Sequence, residues 1–136
     1  MRGIEEARLT LTMAGKDLRA LHVMVDSESV DDEIFGFHAQ QAVEKSLKAW
    51  ITALGEEYAY KHALQPLLVK LQSINCDVAD LWEFVDLNTF AVQYRYEAYV
   101  YPNAPLDRQE IINKIQLLYN RVNEIIKDIE RHKGGL

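Results

Sequence analysis

Two apolar stripes, one near each end of the chain, constrain its fold more than any other feature. Ala7, Leu11, Ala14, Leu18, Leu21 and Val25 follow one another at steps of 4, 3, 4, 3 and 4 residues. Ile111, Ile115, Leu118, Val122, Ile125 and Ile129 repeat those steps toward the C-terminus. An α-helix turns by about 100° per residue, so alternating steps of three and four keep a whole series on one face. No segment sustains the period-2 alternation of a half-buried strand. The sequence therefore predicts an all-α fold, an up-and-down bundle of four to five helices, with the two stripes packing near-parallel in the manner of coiled coils.

The intervening elements follow from the same spacing. Ser27-Glu28-Ser29-Val30-Asp31-Asp32 interrupts the first stripe and offers capping oxygens for a second helix. That helix is expected over residues 32–54, with Ala39, Val43, Leu47, Trp50 and Leu54 facing the core and Ile51 beside them. Gly55 stands where a helix C-terminus calls for a positive φ. A connection carrying Tyr58 and Tyr60 leads to a short helix with Leu64, Leu67, Leu68, Leu71 and Ile74, which Asn75-Cys76-Asp77 ends. Val78, Leu81, Phe84 and Val85 mark a fourth helix that fades near Phe90. Asp107-Arg108-Gln109-Glu110 is a capping-box pattern with Asp at its head. Lys127, Arg131, His132 and Lys133 complement the negative end of the last helix dipole, before Gly134-Gly135.

At 136 residues the chain fits one domain, 1–136, and can bury roughly two thirds of its unfolded surface without a disulfide or metal. The single Cys76 cannot form an internal disulfide, which agrees with a reducing cytoplasm. Glu5 and Glu6 come too early for a signal peptide, and no apolar run approaches the ~20 residues of a membrane span. The net charge of −6 argues against a broad nucleic-acid-binding face and leaves room for a local basic site. No metal or cofactor is expected. Di-iron bundles use Glu-x-x-His pairs, but the residues three before His22, His38 and His62 are Arg19, Phe35 and Ala59. One cysteine cannot build a zinc ribbon.

Three polar features compete with plainer explanations. His62, at the start of the short helix, fits local hydrogen bonding. His38 either faces a partner subunit or is simply exposed or satisfied, and His132 serves the helix dipole. On the second helix Gln41, Glu44, Lys45 and Lys48 lie at i, i+3, i+4 and i+7, with Gln40 and Glu44 as another i,i+4 pair. The plain reading is a solvated surface; the sharper one is a strip facing a cleft or a dimer axis. The third feature is Gln93-Tyr94-Arg95-Tyr96-Glu97-Ala98-Tyr99-Val100-Tyr101, within the least regular stretch, residues 91–105. Four of the seven tyrosines fall within eight residues there, around one arginine. Tyrosine with arginine suits stacking on a base or gripping a phosphate, and equally a protein interface. The alternative is that the rings pack the loop onto the bundle with their hydroxyls in water.

The string Phe37-His38-Ala39-Gln40-Gln41-Ala42-Val43-Glu44-Lys45-Ser46-Leu47-Lys48-Ala49-Trp50 resembles the second helix of HEPN domains. So do the spacing to His62-Ala63-Leu64 and the Arg95-Tyr96 pair before a long last helix. The resemblance covers nearly the whole chain and implies a helical bundle that commonly dimerises. It points to two kinds of relative, RNase toxins and subunits that work beside a minimal nucleotidyltransferase. The RNase members place a histidine beyond an arginine with four to six residues between them, which from Arg95 means residues 100–102. The histidine moves the proton of an RNA 2′-hydroxyl and the arginine stabilises charge on the phosphate. Here the three positions after Arg95 hold Val100, Tyr101 and Pro102, and no other arginine has a histidine at that spacing.

The resemblance therefore implies a non-catalytic, cytoplasmic subunit of a prokaryotic toxin–antitoxin type system. It would form a homodimer and bind a nucleotide or RNA, a minimal nucleotidyltransferase, or both. Arg95, Tyr96 and Tyr99 would line the site, with Glu44, Lys45 and Lys48 facing it. Some toxin members are nucleotidylated on a tyrosine near this motif; Tyr99 and Tyr101 lie nearby, at a spacing that does not match. The alternatives are a HEPN ribonuclease with a rearranged active site and a structural interaction module without a ligand.

Overall fold

The computed structural model describes residues 2–59, 63–90 and 106–134. The elements bounded within the described residues are α1 (Arg2–Met24), α2 (Asp32–Ala53), α3 (Gln65–Ser73), the 3-10 helix η1 (Ala79–Leu87) and α4 (Arg108–Gly134). No strand occurs among the described residues, and no helix there is long and apolar enough to cross a membrane. The three long helices pack pairwise, α1 on α2 most extensively, while α3 and η1 lie on α2 and on each other. Since α2 touches every other element, it is buried around more than one face, including Phe35, Ala39, Val43, Leu47, Trp50 and Ile51.

The stripe of α1 is buried as expected from Ala7 to Leu21, and Val25 lies half-buried beyond the helix end. On α4 the buried residues are Ile112, Ile115, Leu118, Val122 and Ile126, whereas Ile111, Ile125 and Ile129 are only partly covered. The buried face is thus turned from the expected line by less than one residue's rotation. The cause is packing against two neighbours at once, α1 and α2, which widens the covered arc on one side.

The fourth helix departs from expectation in type. Val78, Leu81, Phe84 and Leu87 recur every third residue, and all four are buried. A period of three is that of a 3-10 helix, in which residues i and i+3 eclipse. Val85, one residue off that register, is only partly buried. The same period lines up Asp80, Glu83 and Asp86.

The helix ends show which local signals are used. Gly55, at φ 78°, closes α2 with bonds from its N–H to Thr52 O (3.0 Å) and from Glu56 N–H to Ile51 O (3.1 Å), the Schellman arrangement. Asn75, at φ 69°, closes α3 in the same way, with Asn75 N–H on Gln72 O and Cys76 N–H on Leu71 O. Asp107 Oδ1 accepts the Glu110 N–H at 3.1 Å, the expected cap of α4. The expected side-chain cap of α2 does not form, since Asp31 sits at the N-cap with no side-chain bond. Asp32 has another task. Its Oδ2 accepts Leu106 N–H at 3.0 Å and its Oδ1 accepts Arg108 Nε at 2.9 Å.

Arg108 carries more than its place in a capping pattern suggests. Its guanidinium also donates to Met24 O (2.8 Å), Ser27 O (3.1 Å) and Val30 O (2.6 Å) and lies over the Phe35 ring. One side chain thereby joins the end of α1, the α1–α2 turn, the start of α2 and the start of α4. Truncation removes the counter-charge of Asp32 and a donor from each of three carbonyls, around a group only 16% exposed. We expect Arg108→Ala to cost about 3 kcal/mol in urea unfolding, with Arg108→Lys recovering little because a point charge cannot replace the planar fork.

Gly36 allows the second close contact on α2. A Cβ built there would lie 2.5 Å from Cγ of Phe90, a buried residue on the far side of η1. In an open helix interior Gly→Ala gains up to about 1 kcal/mol. Here overpacking, typically about 1–3 kcal/mol, opposes that gain. Gly36→Ala should therefore lower the urea midpoint, and adding Phe90→Ala should remove the clash and make the Gly36→Ala step stabilising.

Candidate functional site

The polar residues of α2 form one continuous strip because their spacing places them there. Gln40, Glu44 and Lys48 follow at i, i+4 and i+8, and His38, Gln41 and Lys45 run beside them. Gln40 Nε2 donates to Glu44 Oε1 at 3.0 Å, and Lys48 Nζ donates to Glu44 Oε2 at 2.9 Å. Gln41 Nε2 donates to Gln40 Oε1 at 2.9 Å. The Lys48 ammonium lies 5.3 Å from the centre of the Tyr58 ring.

The strip is not the solvated surface of the plainer reading. Gln40 is 0% exposed and Glu44 3%. Removing a carboxylate from water costs several kcal/mol unless its oxygens find donors. Both oxygens of Glu44 do, one on an amide and one on an ammonium. That pairing helps keep an acid at this buried position.

Lys45 belongs to a second network. Its Nζ donates to Asp17 Oδ2 at 2.7 Å, and Asp17 Oδ1 lies 3.0 Å from His38 Nδ1. Asp17 comes from α1, at the edge of that helix's buried stripe beside Leu18. His38 is thus a satisfied histidine bonded within the chain. The structure brings Glu44 and Lys48 together and gives Lys45 a different counter-charge. Asp17 was missed from the sequence because nothing in a one-dimensional pattern says which acid of α1 faces which base of α2.

In chemical terms the strip is charge-balanced, with Asp17 against Lys45 and Glu44 against Lys48. Each ammonium carries three donors and spends one on its carboxylate. The remaining N–H groups suit an acceptor-rich group such as a phosphate or a partner's carbonyls.

The other expected site residues, Arg95, Tyr96 and Tyr99, lie outside the described residues, as do Tyr101 and His62. The residues that flank them are described. Phe90 packs against Gly36, and Leu106 N–H is held by Asp32, so both flanking residues sit at the first turns of α2. Gln40 begins one turn further along.

The Glu44–Lys48 pair predicts a double-mutant cycle. Glu44→Leu strands a Lys48 side chain that is 14% exposed and should cost about 3 kcal/mol in urea unfolding. Glu44→Leu combined with Lys48→Met should recover most of that loss, giving a large coupling energy.

The family model of the HEPN domain matches residues 7–126, which takes in the polar strip and reaches from the first turns of α1 to the later part of α4. No curated protein and no solved structure matches the chain. The match covers far more than half of the sequence, and its helices are those of the bundle described above; the chain belongs to the HEPN domain family.

Proposed function

We propose that this protein, taken as one HEPN unit over residues 1–136, is a non-catalytic binding subunit of a prokaryotic toxin–antitoxin type system. It works in the cytoplasm as a homodimer beside a minimal nucleotidyltransferase, and binds a nucleotide or RNA. The observation that carries this reading is the buried polar strip of α2, where Glu44, Lys45 and Lys48 are held in fixed geometry with ammonium N–H donors to spare. HEPN domains are a nucleotide-binding and RNase-type family, so such a strip has a chemical purpose in this setting.

Arg95, Tyr96 and Tyr99 complete the proposed site. Arg95 is five residues beyond Phe90, and an extended chain spans at most about 3.4 Å per residue, or ~17 Å. Glu44 lies eight residues along α2 from Gly36, ~12 Å at the helical rise. The loop therefore has the reach to set its arginine and tyrosines over the strip. The absence of a histidine at residues 100–102 supports binding without RNA cleavage, because the proton-transfer partner of the arginine is missing.

Light scattering on the purified protein should give a dimer at micromolar concentration. A fluorescent single-stranded RNA or a labelled ATP should bind, more weakly as salt rises. Arg95→Ala and Lys45→Ala should each weaken binding by roughly tenfold or more, as expected when a charged contact is lost. A monomer that binds neither probe nor a nucleotidyltransferase sinks the reading. RNA cleavage that vanishes in Arg95→Ala would replace it with the ribonuclease reading.

A further inference from the structure

The side of the molecule between η1 and α4 carries an open groove. No Cα of η1 comes within 8 Å of a Cα of α4. The two elements are joined by side chains instead. Lys114 Nζ reaches Glu83 at 2.5 Å and Glu110 at 2.8 Å, and Arg121 Nη2 reaches Asp80 at 2.6 Å. Beneath these bridges lies an apolar floor in two adjoining hollows of about 210 and 160 Å³, which share Phe84. Leu87, Leu106 and Ile111 line one, and Leu81, Leu117 and Leu118 the other. Leu117 is 67% exposed and adds apolar surface at the edge of this floor.

The rim is acidic. The 3-10 period aligns Asp80, Glu83 and Asp86 in one row, and α4 adds Asp107 and Glu110. Among the described lining residues only Lys114 and Arg121 oppose these five, and both are already bound to rim carboxylates. Glu110 and then Glu83 push the Lys114 ammonium's pKa up, and the Arg121 hydrogen bond holds Asp80 below its ordinary range. The Asp86 side chain makes no hydrogen bond or ion pair among the described residues. A two-fold pairing of copies through this face would set the acidic row against itself, in a chain whose net charge is already −6. The complement of the groove is cationic.

We propose that the groove between η1 and α4 is a docking site for a cationic amphipathic helix of a partner protein. Nine 3-10 residues span ~18 Å, which matches about three turns of α-helix. Such a helix lays leucine-like side chains at i, i+3, i+4 and i+7 onto Phe84, Ile111 and Leu117, and sets flanking lysines against Asp86, Asp107 and Glu110. This site is separate from the polar strip of α2 and does not depend on the function proposed for it.

The test uses the full chain and a fluorescein-labelled peptide of about 14 residues, made of leucine and lysine with one apolar helical face. A permuted peptide of identical composition but no apolar face is the control. Anisotropy should show saturable binding of the first peptide, at least roughly tenfold tighter than the second. Leu117→Glu and Asp86→Lys, both exposed and both checked for helicity by circular dichroism, should each weaken it by a similar factor, whereas Lys45→Ala should leave it unchanged. Amide shifts on binding should map to η1 and α4. Equal binding of the two peptides, no binding, or indifference to both groove variants overturns the proposal. A wild-type dimer that Leu117→Glu converts to monomer also overturns it, by assigning the groove to a second copy.

Discussion

Arg108 holds together parts of the chain that are otherwise remote in sequence. Its carbonyl partners at Met24, Ser27 and Val30 and its carboxylate partner Asp32 lie more than seventy residues upstream. A guanidinium buried this far must find acceptors for its donors in the fixed directions of its plane. The end of α1 and the α1–α2 turn supply them as backbone carbonyls, and those of Met24 and Ser27 also accept the N–H groups of Ser27 and Val30. The result locks the crossing between the first two helices to the first turn of the last one. Because Asp32 also holds Leu106, the same clamp fixes the residue that precedes the cap of α4.

The clamp acts at one end of α2, and α2 is the element all the others share. That position explains why its polar residues are unlike those of an ordinary surface helix. Every turn has neighbours, so Gln40 and Glu44 are carried into the interior along with Val43 and Leu47. They survive there because they satisfy one another and Lys48. The absent side chain at Gly36 serves the same crowding from the other direction, letting the Phe90 ring lie against the helix. A buried, internally satisfied acid–amide–ammonium set within a HEPN domain is a reasonable place to look for recognition, since its geometry is set before any ligand arrives.

The 3-10 helix has a consequence of its own. Three residues per turn separate one buried row, Val78 to Leu87, from an adjoining acidic row, Asp80 to Asp86. An α-helix of the same sequence would spread these residues around its circumference. The groove, its floor and its charge therefore all follow from the helix type, and Lys114 and Arg121 bridge the gap that backbone packing leaves.

Much of this was legible in the sequence. The α1 stripe, the closure of α2 at Gly55, the cap at Asp107 and the HEPN-like string on α2 all rest on local spacing, and local spacing is what a sequence states directly. The candidate residues Glu44, Lys45 and Lys48 could be named for the same reason, since i, i+3 and i+4 neighbours on a helix are fixed by its pitch. Tertiary structure decided the rest. It buried Glu44, gave Lys45 to Asp17 across two helices, turned the α4 stripe toward Ile112 and Ile126, and made a clamp of an arginine that looked like part of a cap. Each of these depends on which face of one helix meets which face of another. Apolar periodicity shows that a face must be covered, but it carries no information about what covers it.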